Sequence, residues 1–123
     1  MNLLIVEDNP ALGEVIELIL RMEGYKVFLT SMPSTAMETL KSEQIDGIVS
    51  DIRMPGMSGI DFGKVLRKSG INIPIVYFSA EMDGANFYKD DLIEIGNNRF
   101  VAKPAPTSNL VDAIRELLQG TPP

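Results

Sequence analysis

The sequence predicts an α/β domain built on a five-stranded parallel β-sheet with helices on both faces. Three observations carry that reading. Short apolar runs recur at 3–6, 26–30, 47–50, 74–78 and 99–102. They are continuous rather than alternating, as in strands covered on both sides. Segments with helical spacing follow each run, and strict strand-helix alternation is the order that right-handed parallel crossovers produce.

The first run, "LLIV", ends on the acid pair Glu7-Asp8. Asn9 can cap a helix that Pro10 begins, because the first turn needs no N–H from proline. The 3.6-residue period places Leu12, Val15, Ile16 and Ile19 on its inner face, and Gly24 closes it. A second helix starts near Pro33 and turns Ala36, Met37 and Leu40 inward; a third follows Ser58 with Phe62, Val65 and Leu66. The fourth is interrupted by Gly84 and by the charged Lys89, Asp90 and Asp91, yet Ala85, Tyr88, Leu92 and Ile95 keep a three-four-three spacing. The fifth takes Thr107 or Ser108 as its cap and carries Leu110, Val111, Ile114, Leu117 and Leu118. Residues 1–119 are expected to form one domain, with "GTPP" at 120–123 as a tail or the start of a linker.

With 123 residues, 45% of them hydrophobic, the chain is large enough for a single core. Its 17 acidic and 11 basic residues give a net charge of -6, so this segment lacks the positive field that drives phosphate-backbone binding, and direct nucleic-acid contact is not expected. The absence of cysteine excludes disulfides and thiolate metal sites. The absence of histidine removes the usual neutral-pH acid and base and the commonest zinc ligand. No apolar run approaches bilayer length and the amino terminus does not read as a signal peptide; a cytoplasmic location without membrane contact is expected.

In a parallel sheet of this kind ligands bind beyond the carboxyl ends of the strands. Those ends read Glu7 and Asp8, then Asp51, then Ser79, then Lys103. Three carboxylates in one small volume repel one another by roughly 4 kcal/mol per pair at about 4 Å and an effective dielectric of about 20. A cation must hold them. All-oxygen ligation without histidine or cysteine favours a hard divalent ion, above all magnesium. Three carboxylates, one lysine and one such ion sum to zero, and a neutral site can accept a phosphoryl group. Ser79 would hydrogen-bond one of its oxygens, and Asp51, facing both metal and lysine, would attack phosphorus to give an acyl phosphate. Gly56 and Gly59 in "MPGMSG" fit neither a P-loop nor a dinucleotide fingerprint. They read as a tight turn beside Asp51 that leads into a capped helix.

Glu7-Asp8, "SDIRMPGMSG" around Asp51, "FSA" at Ser79 and "FVAKP" at Lys103-Pro104 together resemble the receiver domain of two-component response regulators, over essentially the whole chain. The resemblance implies a flavodoxin-like (βα)5 fold with strand order 2-1-3-4-5. It implies Asp51 as the phosphoacceptor, Asp8 as a direct magnesium ligand, Glu7 acting largely through water, and the Arg53 backbone carbonyl completing the coordination with Asp51. Ser79 and Phe100 would be the switch pair, Lys103 the phosphate-binding cation, and the Lys103-Pro104 bond would be cis. This sequence departs from the family's pattern in having Glu7 for a frequent aspartate and Phe100 for a frequent tyrosine. Its segment from Ser79 to Gly96 is also longer and less alanine-rich. Arg53 and Glu81, two positions beyond Asp51 and Ser79, would flank the acyl phosphate and modulate its lifetime.

The function so implied is a switch that catalyses only its own phosphorylation and dephosphorylation. Its donor would be a histidine kinase, a phosphotransfer protein or a small acyl phosphate. Its output would pass to an output domain, a target protein or a second copy of the chain through the fourth helix, fifth strand and fifth helix. The alternatives are a phosphorylation-independent scaffold of the same shape and a flavodoxin-like module holding a flavin phosphate. Glu7-Asp8 would repel the flavin's phosphate. A haloacid-type phosphatase is disfavoured because the first strand runs into Glu7-Asp8-Asn9 rather than aspartates spaced by one residue.

Overall fold

The computed structural model describes residues 1–80, 84–103 and 107–119. The strands are β1 (Asn2–Val6), β2 (Lys26–Thr30), β3 (Gly47–Ser50), β4 (Ile75–Ser79) and β5 (Asn98–Ala102). They form one parallel sheet in the order β2-β1-β3-β4-β5. Leu3 to Val6 are almost completely buried because both faces of β1 are covered. Leu4 and Val6 pack into one core with Ile48, Ile75 and Tyr77, while Leu3 and Ile5 pack into the other with Val49, Val76 and Phe78. This pleat explains why the run is unbroken: alternate side chains enter opposite cores, and neither face tolerates a polar residue.

The helices are α1 (Pro10–Met22), α2 (Pro33–Ser42), α3 (Gly59–Lys68), α4 (Gly84–Phe87), α5 (Lys89–Ile95) and α6 (Thr107–Leu118). Ile16 and Leu20 of α1 share a core with Leu110, Val111 and Ile114 of α6. Ala36 of α2, Phe62 and Leu66 of α3 and Ile95 of α5 fill the other. The side chain of Asn9 accepts the Leu12 N–H at 3.2 Å and that of Ser58 accepts the Asp61 N–H at 3.1 Å, so both expected caps are formed. Gly24 adopts φ +96° just beyond α1, the left-handed conformation for which glycine carries no steric penalty.

Three expectations need correction. Val15 is half exposed, because the buried stripe of α1 runs through Gly13, Ile16 and Leu20 and leaves Val15 to one side. Gly13 permits this close seat: a Cβ there would lie 3.0 Å from Leu29 Cδ1. The expected fourth helix is two pieces broken at Tyr88, whose φ −97° and ψ 16° shift the helical phase. Tyr88 and Leu92 still pack against the core and Ile95 is buried, but Ala85 is exposed. Thr107 belongs to the first turn of α6 rather than preceding it, and the residue before it lies outside the described residues.

Arg67 fastens α3 to the far end of α5. Its Nε donates to the Ile95 carbonyl at 2.9 Å, Nη1 to the Ile71 carbonyl at 2.9 Å, and Nη2 to the carbonyls of Gly96 and Asn97 at 3.2 and 3.3 Å. Nearby, Lys64 pairs with Asp91 at 2.6 Å and Glu94 at 3.4 Å. No helix among the described residues is long and apolar enough to cross a membrane.

The packing separates buried from exposed apolar positions sharply. Leu4→Ala should cost about 2 to 5 kcal/mol by leaving a cavity in a strand sealed on both sides. Val15→Ala should stay within about 0.5 kcal/mol. Urea unfolding of both variants checks the pair; a large loss at Val15 would return it to the core.

Candidate functional site

The register of the sheet brings the sequence's polar strand ends together. β1 and β3 are paired with Val6 opposite Ser50, so the residues that follow, Glu7 and Asp51, emerge side by side. The Asp51 N–H donates to the Val6 carbonyl at 3.0 Å and the Glu7 N–H to the Thr30 carbonyl at 3.0 Å, extending the ladder one step beyond the strands. β4 and β5 are paired with Ser79 opposite Ala102, and the Lys103 N–H donates to the Ser79 carbonyl at 2.6 Å. Four strand ends therefore deliver Glu7, Asp8, Asp51, Ser79 and Lys103 to one edge.

Carboxylate oxygens of Glu7, Asp8 and Asp51 lie within 4.8 Å of one another. The Lys103 ammonium sits 2.9 Å from Glu7 Oε1 and 3.7 Å from Asp51 Oδ2, closer to the first acid than to the second. It also lies 5.2 Å from the centre of the Phe78 ring, whose face attracts a cation. The side chains of Glu7, Asp51 and Lys103 are only 3%, 13% and 14% exposed, so water screens these charges weakly. Burial raises the pKa of Glu7 above its ordinary 4.5; the hydrogen bond from Lys103 opposes that rise and the charge of Asp51 adds to it. Three acids and one ammonium leave an excess of negative charge, and every available donor atom is oxygen. This set fits a hard dication such as magnesium.

Two local features fix the acids. Asp51 Oδ1 accepts the Ile52 N–H at 2.7 Å, which leaves Oδ2 on the Lys103 side. Glu7 Oε2 accepts the Asn9 N–H at 3.2 Å, so the residue that caps α1 also braces an acid of the cluster. This bracing was not foreseen from the sequence, because side-chain bonds to the backbone N–H two residues on are a common local pattern for the shorter Asp and Asn rather than for Glu. The loop after Asp51 returns at Gly59, where a Cβ would overlap the Asp51 carbonyl oxygen, so the expected tight turn is present and requires glycine there.

The remaining predicted residues are placed as follows. Ser79 is buried at the end of β4. Phe100 is half-buried in β5 opposite Tyr77 and packs against the core shared by α2, α3 and α5. Arg53 is exposed and lines an open cleft with Asp8, Met54, Pro55, Ser58 and Tyr88. Glu81 and the Lys103-Pro104 bond lie outside the described residues.

A parallel sheet in this strand order, with acids and a lysine on its carboxyl edge, defines a receiver-type α/β domain. The chain matches the family model described as the response regulator receiver domain over residues 3–115, and it belongs to that family. It is 32% identical over 118 residues to the DNA-binding response regulator MtrA of Mycolicibacterium smegmatis, covering 96% of this chain and 50% of that protein. The chain thus spans about half the length of the curated relatives it matches. Among solved structures, a response regulator receiver protein from Sinorhizobium medicae is 30% identical with a TM-score of 0.85, covering 98% of this chain and 95% of that one. The response regulator protein TrrA from Thermotoga maritima, solved in complex with Mg2+-BeF, is 26% identical with a TM-score of 0.81 and covers 94% and 97% of the two chains.

The raised pKa of Glu7 has a sign that can be measured. The folded state binds this proton more tightly than the unfolded state, so the associated stability is present below the unfolded value near 4.5 and lost as pH rises through the folded value. In metal-free buffer the stability of wild type relative to Glu7→Gln should therefore fall as pH is raised from about 4.5. Urea midpoints of the two proteins across that range test it, and a rising difference would mean that Lys103 outweighs burial.

Proposed function

We propose that this receiver domain accepts a phosphoryl group on Asp51, with magnesium as cofactor, from a histidine kinase's phosphohistidine, a phosphotransfer protein or a small acyl phosphate. A phosphorylation-controlled switch is the general function of two-component receiver domains. The observation that carries the residue assignment is the meeting of Glu7, Asp8 and Asp51 beside one partly buried lysine. The binding of Mg2+-BeF by the Thermotoga relative supports the choice of ion.

Asp8, Asp51, the Arg53 carbonyl and, less directly, Glu7 would hold the ion. Bound there, magnesium would neutralise oxygens of the transferring phosphoryl group. The chain's own groups do the rest. The Ile52 N–H restrains Oδ1 and leaves Oδ2 beside Lys103. An Asp51 oxygen forms the new O–P bond while the donor's P–N or P–O bond breaks, its electron pair leaving with the donor atom. Lys103 can balance charge on the transferred group, and the Ser79 hydroxyl can hydrogen-bond one of its oxygens. Water later attacks phosphorus and frees the Asp51 carboxylate. Arg53 and Glu81 would regulate that water, and an unchanged dephosphorylation rate in the double variant would refute their role.

The output is a population shift on the order of a few kcal/mol in which Ser79 and Phe100 move inward and α4, α5, β5 and α6 present a changed face. Phe87 and Ile93 are 76% and 70% exposed on that segment, apolar groups of the kind a partner or second copy would cover. Residues 1–119 are read as the receiver unit. This acidic segment is not proposed to contact nucleic acid itself, and a cytoplasmic setting is proposed for it.

Incubation with acetyl phosphate and magnesium should add one phosphoryl group to wild type, none to Asp51→Asn, and none to wild type in EDTA, as read by intact-protein mass. A label on Asp51→Asn would move the acceptor elsewhere. Undiminished partner binding by Asp51→Ala would favour a phosphorylation-independent scaffold.

A further inference from the structure

The loop that carries Asp51 is tied to the core by a side chain outside the phosphoryl site. Tyr77 lies in the middle of β4 with no exposed surface, and its hydroxyl donates to the Gly59 carbonyl at 3.1 Å. The Gly59 N–H donates to the Ile52 carbonyl at 2.7 Å, and the Ile52 N–H donates to Asp51 Oδ1 at 2.7 Å. Three hydrogen bonds, joined by the backbone of Gly59 and of Ile52, therefore connect a core phenol to the carboxylate. The sequence makes room for it at two glycines. A Cβ at Gly59 would overlap the Asp51 carbonyl oxygen, and a Cβ at Gly63, one turn along α3, would overlap the Tyr77 hydroxyl. A strand position sealed inside the apolar core has no packing need for a hydroxyl, and an unbonded one there would be unfavourable. Burial raises the phenol's pKa, so it remains a donor throughout the physiological range.

We propose that Tyr77 is a positioning residue for Asp51, its hydroxyl holding Gly59, and through it the Ile52 peptide, so that the acceptor carboxylate meets the phosphoryl donor in a fixed orientation. The inference rests on Asp51 being the acceptor. Tyr77 does not touch the reacting atoms; it acts through two backbone groups. Phenylalanine would keep the ring in place but remove the phenol's hydrogen bond to the Gly59 carbonyl.

The test separates positioning from packing. Tyr77→Phe deletes the hydroxyl, and Gly63→Ala combined with Tyr77→Phe refills the space the hydroxyl occupied without restoring the hydrogen bond. Phosphorylation by acetyl phosphate is followed by intact mass at saturating magnesium, well below each variant's thermal midpoint, together with amide exchange at Ile52 and Gly59. Both variants should be labelled about tenfold more slowly than wild type. Exchange at Ile52 and Gly59 should be faster in both, and the double variant should recover thermal stability without recovering rate. Recovery of rate together with stability would overturn the proposal, as would a wild-type labelling rate in Tyr77→Phe or slow labelling with unchanged exchange. A wild type that takes no label, or an Asp51→Asn that is labelled equally, would remove Asp51 as acceptor and the proposal with it. That result is distinct from a labelled wild type whose rate ignores Tyr77.

Discussion

The ammonium of Lys103 lies 2.9 Å from Glu7 and 3.7 Å from Asp51 and is the cation that the described structure sets against three converging acids. The rest of the carboxyl edge depends on that arrangement. Without the lysine, a buried Glu7 beside Asp51 would carry both desolvation and repulsion with only the Asn9 N–H to offset them. With it the cluster is balanced only in part, and the remaining negative charge is what a dication would neutralise. Glu7 takes up the lysine and Asp51 Oδ2 stays near it, so one ammonium links the most buried acid to the proposed acceptor.

Such a cluster needs a rigid support, and the two-sided core supplies it. β1 sends Leu4 and Val6 into one core and Leu3 and Ile5 into the other, leaving the strand little freedom to slip. A one-residue shift of register would exchange the two sets of side chains and carry Glu7 out of reach of Asp51. The same ladder continues past the strand ends through the N–H groups of Glu7, Asp51 and Lys103, so the acids and the lysine inherit the sheet's order instead of depending on free loops.

How much of this could be read in the letters depended on the kind of interaction. The strands, the Asn9 and Ser58 caps and the inward residues of α2 follow from local chemistry and periodicity, and sequence carries both. The meeting of Glu7, Asp8, Asp51 and Lys103 was legible because a parallel sheet places all its carboxyl ends on one side. Val15 was misplaced because helical periodicity gives a face but not its centre, and Gly13 moved the centre by letting α1 approach Leu29. Tyr88 breaks the fourth helix through a backbone turn that its side chain does not announce. Tyr77 read only as part of an apolar run; its hydroxyl acquires meaning from Gly59 and Gly63, which are distant in sequence and adjacent only in the fold.

Arg67 gives the 84–95 segment an asymmetry. Its guanidinium grips carbonyls at Ile95, Gly96 and Asn97, whereas the opposite end passes through the break at Tyr88 and carries the exposed Phe87. A rearrangement that keeps those bonds would pivot the segment on its carboxyl-terminal end, like a door on its jamb. Displacement would then be greatest near Gly84, the end closest in sequence to Ser79.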